Sequence, residues 1–535
     1  VDGLKGACVA RVGSGTVYLV EPDINPITRR FGLPLVANYP PLALVRLAGQ
    51  MSDPDVQIVD LRVAGETARF LGAIRQEPPP IVAISLTFTS NGAEAVRLAA
   101  AVRRASPDAV IILGGSAASE EPDAFLHSAV DLICQRSGDI ALARLVEQIR
   151  REGEPPERPA GFFHRVGDGW VAGLPADAPA MTQLKPYAWQ RVPRRYWRTY
   201  FQGFRSTGIG QTSEGCPYDC SFCSVWQVHG RKVNVAALEN VKHDFLSLPP
   251  GTRGFFFADD IWMQATEPQR QDLYDPLLRW LADEFLPSHS EVWMTVETRT
   301  DLFLRQEARF ADWIRYGNLK RIFFGVEAVT DQALAGFSKR NTVEANSTAL
   351  RRAAELGVYI TAQLVVPLDA DVGYFDEIVR FLKDHRPWLS VVNFTIATPL
   401  PGTELYREVL AENPELADRK TVRHPAFSLF CALAPTRLPV SEFYRQVARL
   451  YRAANRVSFR WDSAWHSLQA LVRNPAAIRR LVKVPRLARE LGEPETWIDA
   501  HREVQGNRLF PASPGGIEGV GAASRQALGK EPVTV

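Results

Sequence analysis

Cysteine is scarce in this chain, with six in 535 residues, too few for a disulfide scaffold. An excess of either charge is also missing. Lys and Arg number 62 against 60 Asp and Glu, a formal net charge of +2, so the dense basic surface of a generic nucleic-acid binder is absent and no nucleic-acid partner is expected. No apolar run reaches the ~18 residues that cross a bilayer, and the opening residues carry no signal-peptide pattern. What remains is the composition of a soluble globular protein, 46% hydrophobic and 23% charged, at a length that suggests about three domains of ~150 residues. Three of the cysteines, Cys216, Cys220 and Cys223, fall within eight residues. That is the spacing of a metal or cluster site in a reducing compartment. A cytoplasmic, multidomain enzyme is the expectation.

Residues 1–150 alternate strand and helix signals. Val17 to Pro22, Val56 to Leu61, Ile81 to Leu86, Ala109 to Gly115 and Val130 to Cys134 are short, nearly continuous apolar runs, as in strands buried on both faces of a parallel sheet. Gly92 to Ala105 has apolar residues at three- and four-residue intervals. Strict alternation predicts a doubly wound, Rossmann-like α/β sheet. Its ligands would lie beyond the carboxyl ends of the strands, where Thr87-Phe88-Thr89-Ser90, Gly114-Gly115-Ser116 and Ser137-Gly138-Asp139 are placed.

Residues 151–205 lose the rhythm and read as linker, with an aromatic connector formed by Tyr187, Trp189, Tyr196, Trp197, Tyr200 and Phe201. A second alternation occupies 206–405. Its strand candidates are Ser206 to Thr212, Gly254 to Ala258, Val292 to Glu297, Arg321 to Glu327, Tyr359 to Val366 and Val391 to Thr398. Six strand–helix units fit a partial (β/α)6 barrel with its chemistry at the strands' carboxyl ends. Residues 406–505 read as a C-terminal helical domain, and 506–535, rich in Gly, Ala and Ser, as a disordered tail. No internal repeat is evident beyond the two alternations.

The first strand of the second block runs directly into Gly215-Cys216-Pro-Tyr-Asp-Cys220-Ser-Phe-Cys223. Three thiolates on one tight loop can hold three irons of a cubane cluster and leave the fourth open. The alternative is a structural zinc site completed by His229, although such a site has no reason to sit at a barrel mouth. The CxxxCxxC motif with Phe222 before its third cysteine resembles the signature of radical SAM enzymes. The resemblance implies that Cys216, Cys220 and Cys223 hold a [4Fe–4S] cluster whose open iron chelates S-adenosyl-L-methionine (SAM), with Phe222 near the adenine. It further implies SAM contacts from Asp259 and Asp260 after the second strand, from Glu297 and Arg299 (beside Asp301) after the third, from Glu327 (beside Gly325) after the fourth, and from Lys339 or Arg340. Each of these charged residues is also explicable as a helix cap or an ion pair.

An α/β domain ahead of such a barrel resembles the cobalamin-binding domain of class B radical SAM methyltransferases. Thr87, Thr89, Ser90, Gly114, Gly115, Ser116 and Gly138 match the places where that family wraps cobalamin. The sequence departs from the better-known cobalamin fold in having no Asp-x-His-x-x-Gly after the first strand. The lower face of cobalt is thus unassigned, with Arg62 as a candidate and a salt bridge as the alternative use of Arg62. The plain alternative for the whole domain is a flavodoxin-like fold without ligand. Thr398 to Tyr406, Pro435 to Arg452, Gly215 to Trp226 and Phe323 to Thr342 are similar to segments of the hopanoid C-3 methylase-like group.

The resemblance implies transfer of a methyl group from SAM, by way of methylcobalamin, to a poorly nucleophilic carbon of a lipid or natural-product small molecule, with an external electron donor. Its alternatives are a cobalamin-dependent cyclase or ring-rearranging enzyme, and a non-radical methyltransferase acting on an aromatic carbon such as the indole of tryptophan. In the latter, Asp259 or Asp260 would occupy the open iron. Trp262, Trp293 and Phe394 are candidates for lining a substrate pocket or for the core. The basic segment Leu468 to Leu491 is a candidate for peripheral membrane contact or a solvated helix face.

Overall fold

The computed structural model describes residues 15–31, 39–176, 178–197, 200–201, 204–205, 207–414, 427–433, 436–458 and 486–506. It divides into two compact units, the first containing 43–179 and the second containing 25–42 and 180–508.

The first unit is built on a seven-stranded sheet. Its strands are β1 (Val17–Glu21), β2 (Val56–Asp60), β3 (Ile81–Ser85), β4 (Val110–Gly114), β5 (Leu132–Cys134), β6 (Phe162–Val166) and β7 (Gly169–Ala172). Their order is β2-β1-β3-β4-β5-β6-β7. The first five are parallel, with Val17 opposite both Val56 and Ile81. The apolar runs form strands because helices cover both faces: β1 and β3 are buried almost throughout. Helices α1 (Leu42–Gln50), α2 (Glu66–Gln76), α3 (Gly92–Ala105) and α4 (Asp139–Glu152) supply the cover, and α3 buries Ala95, Val96, Ala99 and Val102. The order reverses direction between β1 and β3, which opens the ligand crevice of a doubly wound sheet at their carboxyl ends.

Two boundaries differ from the sequence reading. Part of the stretch read as linker is a hairpin, β6–β7, that joins β5 antiparallel. Its two-residue turn, Gly167-Asp168, has Gly167 at φ +60°, and Phe162 and Phe163 are buried. Residues 25–42, expected within the first domain, belong to the second unit. There Phe31 packs against Phe430 and Trp497 at ring-centroid distances of 4.8 and 4.5 Å.

The second unit carries six parallel strands in sequence order: β8 (Thr207–Gly210), β9 (Gly254–Phe257), β10 (Trp293–Arg299), β11 (Leu319–Glu327), β12 (Tyr359–Val366) and β13 (Val391–Ile396). Phe255, Phe257, Met294, Val296, Ile322 and Phe324 point outward into the main core beneath the helices. Among those helices, α5 (Val343–Glu355) and α6 (Val372–Asp384) begin at Thr342 and Asp371, whose side chains cap the free N–H groups of Ala345 and Tyr374. The opposite strand face is half-buried and mixed, with Trp293 and Tyr359 toward the amino ends, Phe323 level with Glu297, and Glu327 and Gln363 toward the carboxyl ends. This is the expected partial barrel.

The helices α7 (Val440–Ser458) and α8 (Pro494–Gly506) follow. Tyr451 on α7 donates its hydroxyl to the Phe394 carbonyl (2.9 Å). Thr398 to Tyr406 forms the turn after β13, in which Thr403 caps the helix Glu404–Glu412. Of the connector aromatics, Tyr187, Trp189, Tyr196 and Trp197 are buried, while the side chains of Tyr200 and Phe201 lie outside the described residues. So do most of the basic segment, up to residue 485, and the tail after 506. Among the described residues no helix is long and apolar enough to cross a membrane.

Candidate functional site

The cysteine loop leaves β8 along a route pinned by backbone bonds. Gly215 lies at φ +96°, and a side chain there would meet the Lys232 carbonyl at 2.3 Å, so only glycine fits. The Gly215 N–H donates to Asp260 (2.7 Å) and the Cys216 N–H to the Gly230 carbonyl (3.0 Å). At the far side the Ser221 N–H reaches the Phe337 carbonyl (3.0 Å), and the Leu405 N–H reaches the Ser221 carbonyl (2.9 Å).

The three cysteines are free, Cys216 and Cys220 buried and Cys223 partly so. Burial pushes the Cys216 thiol up to about 11 and Cys223 to about 12. Each is raised further by its neighbours' charge: Cys216 by Cys220, and Cys223 by both of the others. Cys220 is also raised by burial, against the pull of Lys339 and Arg299. Three thiols this close resist ionising together unless a cationic centre sits among them, which is the donor chemistry of an iron–sulfur site. The same loop leaves Asp219 Oδ1, Trp226 Nε1 and Gln227 Nε2 buried without hydrogen-bond partners. The donor set therefore fits a cluster. His229, the fourth ligand of the zinc alternative, has its Nδ1 paired with Asp260 (2.8 Å).

Beside the loop stands a charged array drawn from three strand ends. Lys339 Nζ donates to Glu327 (2.6 Å), both nearly buried, and Gln363 Nε2 donates to Glu297 (2.7 Å). Burial lifts Glu297 to about 7; Glu327 and Asp260 raise it, while Gln363 and Lys339 lower it. Arg299 holds Asp301 (2.8 Å), donates to the Lys339 carbonyl (2.7 Å), and lies over the Tyr218 ring at 3.8 Å. Its other nitrogen is 3.9 Å from Cys220 Sγ. The pair Glu327–Lys339 sits on strained backbone: Glu327, Ser338 and Arg340 have φ of +63°, +51° and +50°, and such strain collects at functional sites. A side chain at Gly325 would come within 2.5 Å of Glu327 Oε1 and 3.0 Å of Lys339 Nζ.

Of the residues expected here, Asp260, Glu297, Arg299, Glu327 and Lys339 gather around the cysteines, and Phe222 packs edge-on to Phe337 (5.2 Å) behind them. Asp259 does not join them. It is buried and accepts from the Thr212 N–H (2.7 Å), the Thr212 hydroxyl and the Ser213 hydroxyl (2.7 Å), so its work is to hold the strand end in place. Asp260 takes the Gly215 N–H and His229 on the same oxygen, Oδ2. Arg340 turns outward onto Asp219 (2.7 Å), leaving Lys339 as the inward cation. Gln363 and Tyr218 were missed. The signal for Gln363 is an amide in a largely apolar strand. Trp262 and Phe394 are core, whereas Trp293 faces the barrel interior, stacked on Tyr359 (6.0 Å).

In the first unit the expected loops do share the carboxyl edge of the sheet. Gly115, at φ +118°, lets its backbone pass where a Cβ would be 2.6 Å from the Leu86 carbonyl. The Ser116 hydroxyl then bonds the Thr87 carbonyl (2.9 Å). Thr89 and Ser90 are buried in a short turn, and Gly138 packs against the Cys134 side chain. Glu21, at the end of β1, is pushed to about 7 by burial, against Arg62 and the Ser85 hydroxyl and with Asp60 adding to the rise. Glu120 is also lifted to about 7 by burial, against Arg136. Carboxyls that stay partly protonated near neutral pH can donate to amides, so hydroxyls, glycines and neutral acids at this edge fit the amide-fringed rim of a corrinoid. Arg62 is held in a two-point pair with Asp60 (2.8 Å each). This is the alternative use considered above.

Comparison with known proteins assigns both units. Residues 33–146 match the B12 binding domain family and residues 211–382 the radical SAM superfamily. The chain is 28% identical over 470 residues to a hopanoid C-3 methylase of Methylococcus capsulatus, covering 85% of this chain and 83% of that one. It is 23% identical to an anaerobic magnesium-protoporphyrin IX monomethyl ester cyclase of Rubrivivax gelatinosus, over 74% of this chain and 70% of the relative. Among solved structures the fold is similar to the radical SAM methyltransferase TsrM of Kitasatospora setae, solved with cobalamin and a [4Fe–4S] cluster (TM-score 0.60, 18% identity, 75% of each chain). It is also similar to the cobalamin-dependent radical enzyme OxsB, solved with aqua-cobalamin and SAM (TM-score 0.63, 14% identity, 91% and 78%). The cofactors of the chain are accordingly cobalamin, a [4Fe–4S] cluster and SAM. With a B12 binding domain followed by a radical SAM domain, the chain is a cobalamin-binding radical SAM protein, similar along most of its length to a hopanoid C-3 methylase.

Proposed function

We propose that this enzyme methylates a poorly nucleophilic carbon of a largely apolar small molecule, a lipid or natural product. When bound, the corrinoid serves as methyl carrier, and the cluster with SAM serves as the source of the radical that opens a C–H bond. The chain's own residues divide the remaining work. Cys216, Cys220 and Cys223 hold the cluster, and Arg299 keeps a positive charge beside Cys220 while tying the Lys339 segment to the loop. Lys339 and Glu327 offer a cation and an anion for the carboxylate and amino groups of SAM, Glu297 and Asp260 add acceptors, and Phe222 closes the adenine side. Thr87, Thr89, Ser90, Gly114, Gly115, Ser116 and Gly138 receive cobalamin.

For the substrate, the support is the barrel's inner face. Trp293 and Tyr359 toward the amino ends of the strands, and Phe323 level with Glu297, give it an aromatic lining suited to an apolar body. Relatedness to a hopanoid methylase agrees with that character. The observation that carries the reading is the placing of three free cysteines on one loop beside the Arg299–Lys339 array at the strand ends, with Arg299 3.9 Å from Cys220 Sγ and bonded to the Lys339 carbonyl.

The test is anaerobic purification with iron and sulfide analysis and mass spectrometry of released cofactors, followed by assay for methylated product and S-adenosylhomocysteine. Cys220→Ala should abolish the cluster's visible absorbance. A full iron complement in that variant would refute the ligand assignment. Turnover that rearranges the substrate without adding a methyl group would favour a cyclase.

A further inference from the structure

Four basic side chains stand exposed on the outer side of the cysteine loop: Arg231, Lys232, Arg305 and Arg340. Three of them are fastened to the two residues that precede Cys220. Arg340 and Arg231 both donate to Asp219 (2.7 and 3.4 Å), and Arg305 donates to the Tyr218 hydroxyl (2.8 Å). Their side chains nevertheless remain 66%, 52% and 52% exposed. Arg231 also lies over the Trp226 ring at 4.6 Å. The carboxylates they touch, Asp219 and Asp301, are 23% and 16% exposed, so the charge presented to solvent is positive. Past Arg340 the surface dips into a cavity of about 480 Å3 whose walls carry Asp331 and Glu404. The basic field therefore ends there and centres on the Tyr218–Arg231–Arg305 side. Arginine and aromatic side chains packed together are the composition of interaction surfaces.

We infer that this patch is the docking surface for a small acidic electron-carrier protein, which delivers the electron that reduces the cluster. The inference rests on the reading that Cys216, Cys220 and Cys223 hold that cluster. Its physical basis is position and charge. Tyr218 and Asp219 lie within two residues of Cys220, a chain span of at most roughly 7 Å, so a carrier seated on them comes close to the cluster. In the step the carrier's reduced cofactor is oxidised by one electron and the cluster is reduced by one; no bond forms or breaks. A field of this sign steers an acidic partner and raises its association rate by about 10 to 1,000-fold, falling with salt.

The experiment is anaerobic stopped-flow bleaching of the cluster absorbance in the reconstituted full chain, mixed either with reduced flavodoxin, an acidic carrier, or with reduced methyl viologen, a small cation. Arg231→Glu/Arg340→Glu should slow reduction by flavodoxin at least about tenfold at low ionic strength, with viologen reduction unchanged or faster. The milder Arg231→Gln/Arg340→Gln, which adds no repulsion at Asp219, should give an intermediate slowing. The wild-type flavodoxin rate should fall as salt shortens the Debye length from ~10 Å at 0.1 M toward ~3 Å at 1 M. Equal flavodoxin rates in variants and wild type, or a rate flat with salt, would overturn the docking surface while viologen still reduces the cluster. If the wild-type chain shows no cluster absorbance and neither donor has anything to reduce, the cluster reading itself falls, and the docking surface with it.

Discussion

Replacing Lys339 by Met removes the ammonium that faces Glu327 and keeps the aliphatic stem. The Lys339 side chain is 5% exposed and that of Glu327 12%, so the carboxylate left behind is poorly hydrated, and it also raises the proton affinity of its neighbour Glu297. Breaking a buried pair on one side costs about 3–5 kcal/mol; the residual exposure of Glu327 argues for the lower end, about 3 kcal/mol. With a urea m-value of about 3 kcal/mol/M, the midpoint should drop by about 1 M, read by tryptophan fluorescence on cofactor-free protein so that ligand binding adds nothing. The double variant Lys339→Met/Glu327→Gln removes the orphaned charge and should recover to within about 1 kcal/mol of wild type, the coupling expected of two groups in direct contact. A single variant that unfolds within ~0.5 kcal/mol of wild type, or a double variant no better than the single, would show that the pair is not the buried charge couple described here.

Asp259 is pushed from 3.8 to about 6 by burial despite its three donors. An acid whose folded pKa is raised stabilises the fold fully below its unfolded pKa and loses that contribution as pH climbs to the folded value. The wild type should thus lose about 3 kcal/mol relative to Asp259→Asn between about pH 4 and pH 6; parallel stability curves across that window would contradict the assignment. Gly115→Ala forces a side chain onto the Leu86 carbonyl at a positive φ and should cost about 1–3 kcal/mol, with loss of retained cobalamin measured by its visible absorbance. Normal retention in a stable variant would remove Gly115 from the corrinoid edge. Gly325→Ala drives a methyl group into the Glu327–Lys339 pair and should weaken SAM binding at least about tenfold, or 1.4 kcal/mol, while leaving the iron content intact. Calorimetry showing unchanged SAM affinity would argue that the pair does not touch SAM.

Local pattern alone disclosed much of this molecule. Parallel strands buried on both faces must be apolar nearly throughout, so Val17–Glu21 and Ile81–Ser85 stand out as runs. The loop Cys216–Cys223 carries its own spacing, which no distant residue can alter. The hairpin Phe162–Ala172 was obscured by the Pro-rich stretch before it, although its Gly167-Asp168 turn was a readable signal.

Tertiary structure decided whatever depends on which side chains meet. Glu297 and Gln363 are 66 positions apart, and only strand order makes them partners. Asp259 and Asp260 are adjacent in sequence, yet one turns into a hydroxyl network and the other toward the cysteine loop. Arg340 and Lys339 part in the same way, one to solvent and one inward. The helix Pro26–Arg30, early in the chain, closes against residues near its end. A sequence encodes the periodicity that builds strands and helices, because that depends on neighbours a few positions away. The direction in which a charged side chain points, and the counter-charge it meets, are set by packing across the sheet, which no local pattern records.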